Sequence, residues 1–447
     1  MGDLLVELFA IDRSLTGAGV RGTLGALEDY IELPLKRHEV PTGTQVGDWT
    51  IPLEWRFERA RLWQEGSDRI IFDTDEGDPV IQIVGYSAPV DTYVKINEKN
   101  PNVHVGPLEI PDAIPYVTAC YAPGAWGVCL SRNQYEAFKG QKCKIQIEAK
   151  FLNASEGGSL TYADLVIPGE TTQEIVLSSY ICHPAELANN ECSGPVVLAE
   201  VIKWWNQEPR RYTLRAIFAP ETIGAIAYMA DGLERMKSHT KAGYTLTCMG
   251  GPGLPLVQGG RQTTYAERIA VSAEEMRVRG WLHRVSDERQ WCAPGVDLPW
   301  ATLMKTHPTD DEYEHRYHTS ADNLEFVTEG QLFESYTTVK AILKAIELDK
   351  PWTSTVLGEP MLSKRGLYDA ISKKGSSAPS RALLDTLSYC DGRTTLEIAE
   401  TLGRPFGHIA YELEVLEKHG LIRSGAYKAP IYPDYGLMLE YWDKEAD

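Results

Sequence analysis

The chain has 447 residues, enough for two to four domains of ordinary size, each with a core of its own. Its content of 43% hydrophobic, 24% charged and 9% aromatic residues, with 38 Gly and 26 Pro, excludes a molecule that is disordered, collagen-like or coiled-coil as a whole. The 44 basic against 63 acidic residues give a formal charge of −19, which excludes long-range attraction to phosphate backbones or anionic lipid.

In chain order, Leu4, Leu5 and Leu8, then Leu24, Leu27, Tyr30 and Ile31, recur at helical spacing with Gly and Thr between them, predicting two short helices. The first 16 residues are broken by Asp3, Glu7, Asp12 and Arg13, and no apolar run approaches the roughly 20 residues that span a bilayer. A cytoplasmic protein with no membrane partner is expected. The eight cysteines form no Cys-x-x-Cys pair and are expected as reduced thiols. From Arg59 to Lys150 short β-rich runs alternate with Asp, Gly, Asn and Pro, which suggests an inserted module.

Between Gln173 and Lys350 apolar strands alternate with amphipathic stretches, the pattern of an α/β layer with a mainly parallel sheet flanked by helices. Strands are predicted from Glu174 to Ile181, Tyr212 to Phe218, Tyr244 to Cys248 and Leu298 to Met304. Helices are expected over Gly194 to Trp205, Ile223 to Met236, and from a capping box at Thr328 and Gln331 to Leu348. Pro351 to Pro360 reads as a boundary segment. Beyond it, helical runs at Arg381–Tyr389, Thr395–Leu402 and Pro405–His419, with short strands at Leu421–Arg423 and Ala426–Lys428, resemble a winged helix-turn-helix domain. The expected divisions are 1–55 as the start of the α/β domain, 56–130 as the β-rich insertion, 131–350 as the main α/β domain and 358–440 as the winged helix. From Met361 onward there are 11 basic and 13 acidic residues, and the third helix carries Glu412, Glu414 and Glu417 against Lys418. DNA reading needs a basic footprint, so no nucleic-acid partner is expected, and docking or homo-oligomerisation suits this tail better.

Ligands of open α/β sheets bind beyond the carboxyl ends of the strands. His183 and Glu221 fall at two successive strand ends, each followed by a turn into a helix. Four strings surround them: Ser179-Tyr180-Ile181-Cys182-His183-Pro184 with Asn189-Asn190-Glu191-Cys192-Ser193-Gly194, Pro220-Glu221-Thr222-Ile223-Gly224, Ser286-Asp287-Glu288-Arg289, and Tyr317-His318 running to Asp322. In this order they resemble zinc aminopeptidases of the M28 type, in the divergent branch described as DUF4910 or DUF2172. The β-rich insertion and the winged-helix tail share the resemblance.

The resemblance implies an aminopeptidase-like fold and a metallohydrolase acting on an amide or N-terminal peptide bond of a small substrate. It implies His183, Asp287 and His318 as metal ligands and Glu221 as general base. Neutral imidazoles and a carboxylate hold zinc while leaving a position for water, and a carboxylate base then carries the proton to the leaving amine. Where the branch pattern has metal-site carboxylates, this chain has Asn190 and Thr222. One zinc, or a similar divalent ion, is therefore expected rather than two, with Glu191 as the nearest substitute ligand. Arg289, Trp291 and Tyr317 are candidate substrate-lining residues, Cys182 and Cys292 inert lining, and His307 and His315 solvated loop residues. The same departures support an alternative reading, a catalytically altered member that binds a small ligand or assembles with partners.

Overall fold

Glu174–Tyr180 and Thr213–Ala219 are buried at all seven positions, as strands covered on both faces must be. In the computed structural model, which describes residues 1–67, 69–185, 187–368 and 378–425, they lie at the middle of an eight-stranded sheet. Its strands run in the order Lys36–Pro41, Ser159–Ile167, Thr213–Ala219, Glu174–Tyr180, Thr240–Leu246, Trp300–Met304, Leu256–Gln258 and Arg277–Arg279. The central four are parallel; Lys36–Pro41, Ser159–Ile167 and Leu256–Gln258 join antiparallel. The mainly parallel α/β sheet is thus present, with antiparallel strands at Lys36–Pro41, Ser159–Ile167 and Leu256–Gln258 that the sequence pattern does not predict.

The connection through helix Ser193–Gln207 steps from Glu174–Tyr180 to one neighbour; that through helix Ile223–His239 returns across it to the other. Right-handed crossovers in opposite directions put these helices on opposite faces and open a crevice at the carboxyl end of Glu174–Tyr180. Helix Glu329–Leu348 begins with the expected capping box: Thr328 Oγ1 accepts from Gln331 N, and Gln331 Oε1 accepts from Thr328 N.

The insertion is a four-stranded antiparallel sheet in the order Ile70–Asp73, Glu54–Gln64, Lys142–Leu152, Val90–Lys95. Its longest pairing joins Glu54–Gln64 to Lys142–Leu152, so the β-rich module reaches beyond 130. Alternation of buried and half-buried residues from Cys143 to Ala149 gives this strand one face toward the core.

The chain divides into two units, residues 1–271 with 275–340, and residues 272–274 with 341–447. In the second, helices Ala378–Ser388, Thr395–Leu402 and Phe406–Lys418 enclose Trp352, Leu383, Ile398, Ile409 and Leu413. Pro351–Ser354, expected as a boundary, is a strand between Asp391–Thr394 and Ile422–Ser424, because Trp352 is needed in that core. The second wing strand expected at Ala426–Lys428 lies outside the described residues. Glu412 is turned inward onto Thr386 and Arg404, leaving Glu414 and Glu417 exposed on the third helix. No helix of the described residues is long and apolar enough to cross a membrane, and all eight cysteines are free.

The sheet is closely packed where Gly243 meets Trp300: a Cβ at Gly243 would lie 1.9 Å from the indole Cε3. Trp300 is fully buried, stacked on Trp291 at 4.6 Å. Gly243→Ala is expected to destabilise the first unit by about 1–3 kcal/mol or more through overpacking, seen as a lower urea midpoint with unchanged slope.

Candidate active site

Burial makes the His183 backbone and ring depend on their partners. The residue follows the central strand, and its ring Nδ1 donates to Glu191 Oε2 at 2.6 Å. Glu191 belongs to a π-helical turn, Ala188–Cys192, that enters helix Ser193–Gln207. That turn tightens the chain enough to aim the carboxylate back at the strand end, as π-turns at functional sites often do. Arg13, from the N-terminal segment, closes the group. Its Nε donates to the His183 carbonyl at 3.1 Å and stands 3.4 Å from Glu191 Oε1, an ion pair rather than a hydrogen bond. Its Nη1 donates to the Leu8 carbonyl at 2.6 Å, and both charged side chains of the ion pair are 1% exposed.

With Nδ1 committed, the His183 Nε2 lone pair faces the site, 4.0 Å from Glu221 Oε2. Glu221 stands two residues past strand Thr213–Ala219, and Arg289 Nη2 donates to its Oε1 at 3.0 Å. Thr222 adopts φ 65°, ψ −76°, a conformation unfavourable for a β-branched residue, and its N–H donates to Asp287 Oδ1 at 2.7 Å. Asp287 therefore holds the strained turn that presents Glu221, and its Oδ2 has no hydrogen bond among the described residues. Thr222 Oγ1 accepts from Arg289 Nη2 at 2.8 Å.

His318 lies 5.5 Å from His183 between ring centroids, also at positive φ, 55°. The insertion braces it: Tyr116 N–H donates to the His318 carbonyl at 2.7 Å, and Ile114 and Ser320 exchange two hydrogen bonds. The Tyr116 ring meets both histidines edge-on, while Tyr317 stacks on His318 at 3.9 Å. Asp322 ties the two loops together, accepting the N–H groups of Asn189 and Asn190 at 2.7 and 2.9 Å and the Tyr313 hydroxyl at 2.8 Å.

The structure thus brings His183, Glu221 and His318 together on one cavity and sets Asp287 behind Thr222, outside the lining. It places Asn190 beside them but turned to Tyr180, whose hydroxyl donates to Asn190 Oδ1 at 3.0 Å. Glu191 is the partner of His183 and Arg13, so it does not take the place of a missing ligand. Of the expected substrate-lining residues only Arg289 lines the cavity, and the other two are corrected: Trp291 packs in the core against Trp300, and Tyr317 stacks on His318 outside the lining. His307 is also corrected, being buried, with Nδ1 near Thr309 and Nε2 near the His283 carbonyl. Arg13, Tyr116 and Asp322 were overlooked as site residues. Arg13 lies between helices Gly2–Phe9 and Ala18–Ile31, where no periodic pattern marks it among the neighbouring charges.

Electrostatics follow from this geometry. Burial, then the neighbouring Glu221, pushes the Asp287 carboxyl up to about 8, and burial also raises Glu221 against the pull of His183 and Arg289. Burial depresses His183, but Glu191 outweighs it and raises the imidazole overall; burial and His183 push His318 down to about 3. Two carboxyl groups thus crowd two imidazoles, and the His318 Nε2 is buried without a hydrogen-bond partner among the described residues. These residue types suit one divalent cation, which would relieve the carboxylate repulsion and engage both ring nitrogens, but among the described residues His183, Asp287 and His318 do not have ligand atoms all within 4.8 Å of one another, so holding an ion requires them to draw closer. The neighbouring trio Cys182, His183 and Glu191 has ligand atoms within 4.8 Å, yet it fits a cation poorly. His183 Nδ1 and Glu191 already satisfy each other, and burial pushes the Cys182 thiol well up, keeping it protonated.

A cavity of about 180 Å³ opens over His183, Glu221, Arg289 and His318, with Leu15, Trp55, Val80, Ile81 and Ile83 among its apolar lining.

Residues 2–349 match the family described as a domain of unknown function, DUF4910, and residues 350–424 match a winged helix-turn-helix family. A relative from Clostridium acetobutylicum, named "Putative polysaccharide biosynthesis protein with aminopeptidase-like domain", is 33% identical over 434 residues, 94% of this chain and 95% of its own length. The crystal structure of a "putative peptidase" from Clostridium acetobutylicum superimposes with a TM-score of 0.82 at 30% identity, covering 95% of this chain and 96% of that one. BSAP, a zinc aminopeptidase from Bacillus subtilis, gives a TM-score of 0.56 at 14% identity over 77% of this chain and 94% of its own. A peptidase M28 precursor from Shewanella amazonensis gives 0.54 at 11% over 80% and 94%. The last two show the fold, which is the aminopeptidase-like one expected.

Removing Arg13 would leave Glu191 buried with only His183 to balance it. Arg13→Met is expected to cost on the order of 3–5 kcal/mol, measured by chemical unfolding, with Glu191→Gln in the same chain recovering part of the loss.

Proposed function

Because the chain belongs to the DUF4910 family, continued by a winged helix-turn-helix domain, we propose that it is a metal-dependent hydrolase of an amide or N-terminal peptide bond in a small substrate. The observation that carries the reading is the placing of His183, Glu221 and His318 on one cavity with Asp287 directly behind its Thr222, two ring nitrogens free and two carboxyl groups raised by burial and by each other. The C. acetobutylicum relatives named for an aminopeptidase-like domain and for a peptidase support it.

In this reading His183 Nε2, His318 Nε2 and Asp287 hold one zinc or similar divalent ion. When bound, such an ion lowers the pKa of a water and polarises a substrate carbonyl. Glu221 takes the proton of the attacking water and passes it to the departing amine. Its burial favours that exchange, since a carboxyl raised above its ordinary range accepts a proton more readily. Arg289 keeps the Glu221 side chain turned toward the site. Glu191 holds the tautomer of His183, as carboxylate partners of metal-bound histidines do. Asn190 supports one ion rather than two: a neutral amide engaged by Tyr180 supplies no bridging charge.

Purified protein is expected to carry about one zinc or comparable ion per chain by elemental analysis. Glu221→Gln should lower kcat on a susceptible amide by about 10²–10⁴-fold with metal content unchanged. Glu191→Gln should weaken metal affinity about 10–100-fold in competition with a chromogenic chelator. Metal-free protein hydrolysing at the wild-type rate would overturn the reading; protein that takes up no metal would favour the ligand-binding alternative.

A further inference from the structure

The charged groups of the cavity have an asymmetry that bears on what it accepts. Among the described residues each carboxylate is already engaged: Glu191 by Arg13 and His183, Glu221 by Arg289, and Asp287 by the Thr222 N–H. What those two carboxylates, Glu221 and Asp287, have left is directed to the reaction itself in the proposal above. Arg13 is spent as well, its guanidinium shared among the Leu8 and His183 carbonyls, Thr23, Cys192 and Glu191. Arg289 differs. It lines the cavity, its side chain is 38% exposed, and both of its hydrogen bonds leave through Nη2, to Glu221 and Thr222. Nη1 has no partner among the described residues. Among the described residues, a substrate ammonium placed here would meet a guanidinium and no carboxylate without a partner, whereas an anionic oxygen would find a charged donor already held in place from behind.

We infer that Arg289 binds a carboxylate of the substrate, so that the cavity takes a small amide whose amine is blocked and which bears a free carboxylate, as an N-acyl amino acid does. The inference rests on the hydrolase reading and narrows it. The cavity's size, about 180 Å³, restricts the ligand to a few heavy atoms on each side of the amide, and its apolar lining suits a short acyl group. Neutral Thr222 is part of the device: an acidic side chain there would compete for the guanidinium that the substrate needs, while the hydroxyl orients it.

The test is binding by titration calorimetry to the full chain loaded with zinc, using N-acetyl-L-alanine, its carboxamide N-acetyl-L-alaninamide, and L-alaninamide, which carries an ammonium. N-acetyl-L-alanine is expected to bind on the order of tenfold or more tighter than either amide. Arg289→Gln should abolish the difference between acid and carboxamide, and Arg289→Lys should restore part of it, at equal zinc content. A merely structural role for Arg289 would weaken all three ligands alike. Equal binding of acid and carboxamide by the wild type, tightest binding of L-alaninamide, or no measurable binding of the acid would overturn the inference. Preference for the acid without hydrolysis would instead overturn the hydrolase reading and leave Arg289 as an anion site; hydrolysis with preference for L-alaninamide would do the reverse.

Discussion

A buried charge triplet, Arg13, Glu191 and His183, is the constraint on which the site depends. Burying a carboxylate alone is too costly to persist, and here the cost is offset from two directions that belong to different parts of the chain. Arg13 comes from the segment between the first two helices, Glu191 from a π-turn, and His183 from the end of the central strand. The triplet therefore joins three pieces of backbone and at the same time decides which ring nitrogen of His183 is free.

The same economy appears around it. Asp287 spends one oxygen on the strained Thr222 and so fixes the direction of Glu221. Asp322 spends its carboxylate on two backbone N–H groups and a tyrosine, locking the π-turn to the loop of His318. The insertion adds Tyr116 between the two histidines and a backbone bond to His318. These contacts make a preorganised pocket from loops, which suits chemistry in which charge develops on a few atoms. They also explain how the site tolerates neutral Asn190 and Thr222. Asn190 is absorbed into hydrogen bonding with Tyr180, and Thr222 into the support of Arg289.

Much of the α/β domain was legible because its signals are local. Uninterrupted apolar runs mark strands covered on both faces, and the helices Ser193–Gln207, Ile223–His239 and Glu329–Leu348 fall within a few residues of their expected ends. The antiparallel edge strands were missed because pairing with a distant partner leaves no local mark: Lys36–Pro41 and Ser159–Ile167 meet across more than a hundred residues. Pro351–Ser354 was misread for a similar reason, since only the third dimension supplies the two strands that flank it.

By itself the sequence determined the strand-end placement of His183 and Glu221, the order in which Asp287 and His318 follow, and the absence of carboxylates at Asn190 and Thr222, because residue type and position along a strand–turn–helix pattern are one-dimensional properties. Only the tertiary structure decided that Glu191 is the partner of His183, that Trp291 belongs to the core, and that Arg289 keeps one face of its guanidinium free. Those outcomes depend on which side chains neutralise one another in a desolvated space, and charge compensation between segments as far apart as Arg13 and Glu191 exists only once the chain has folded.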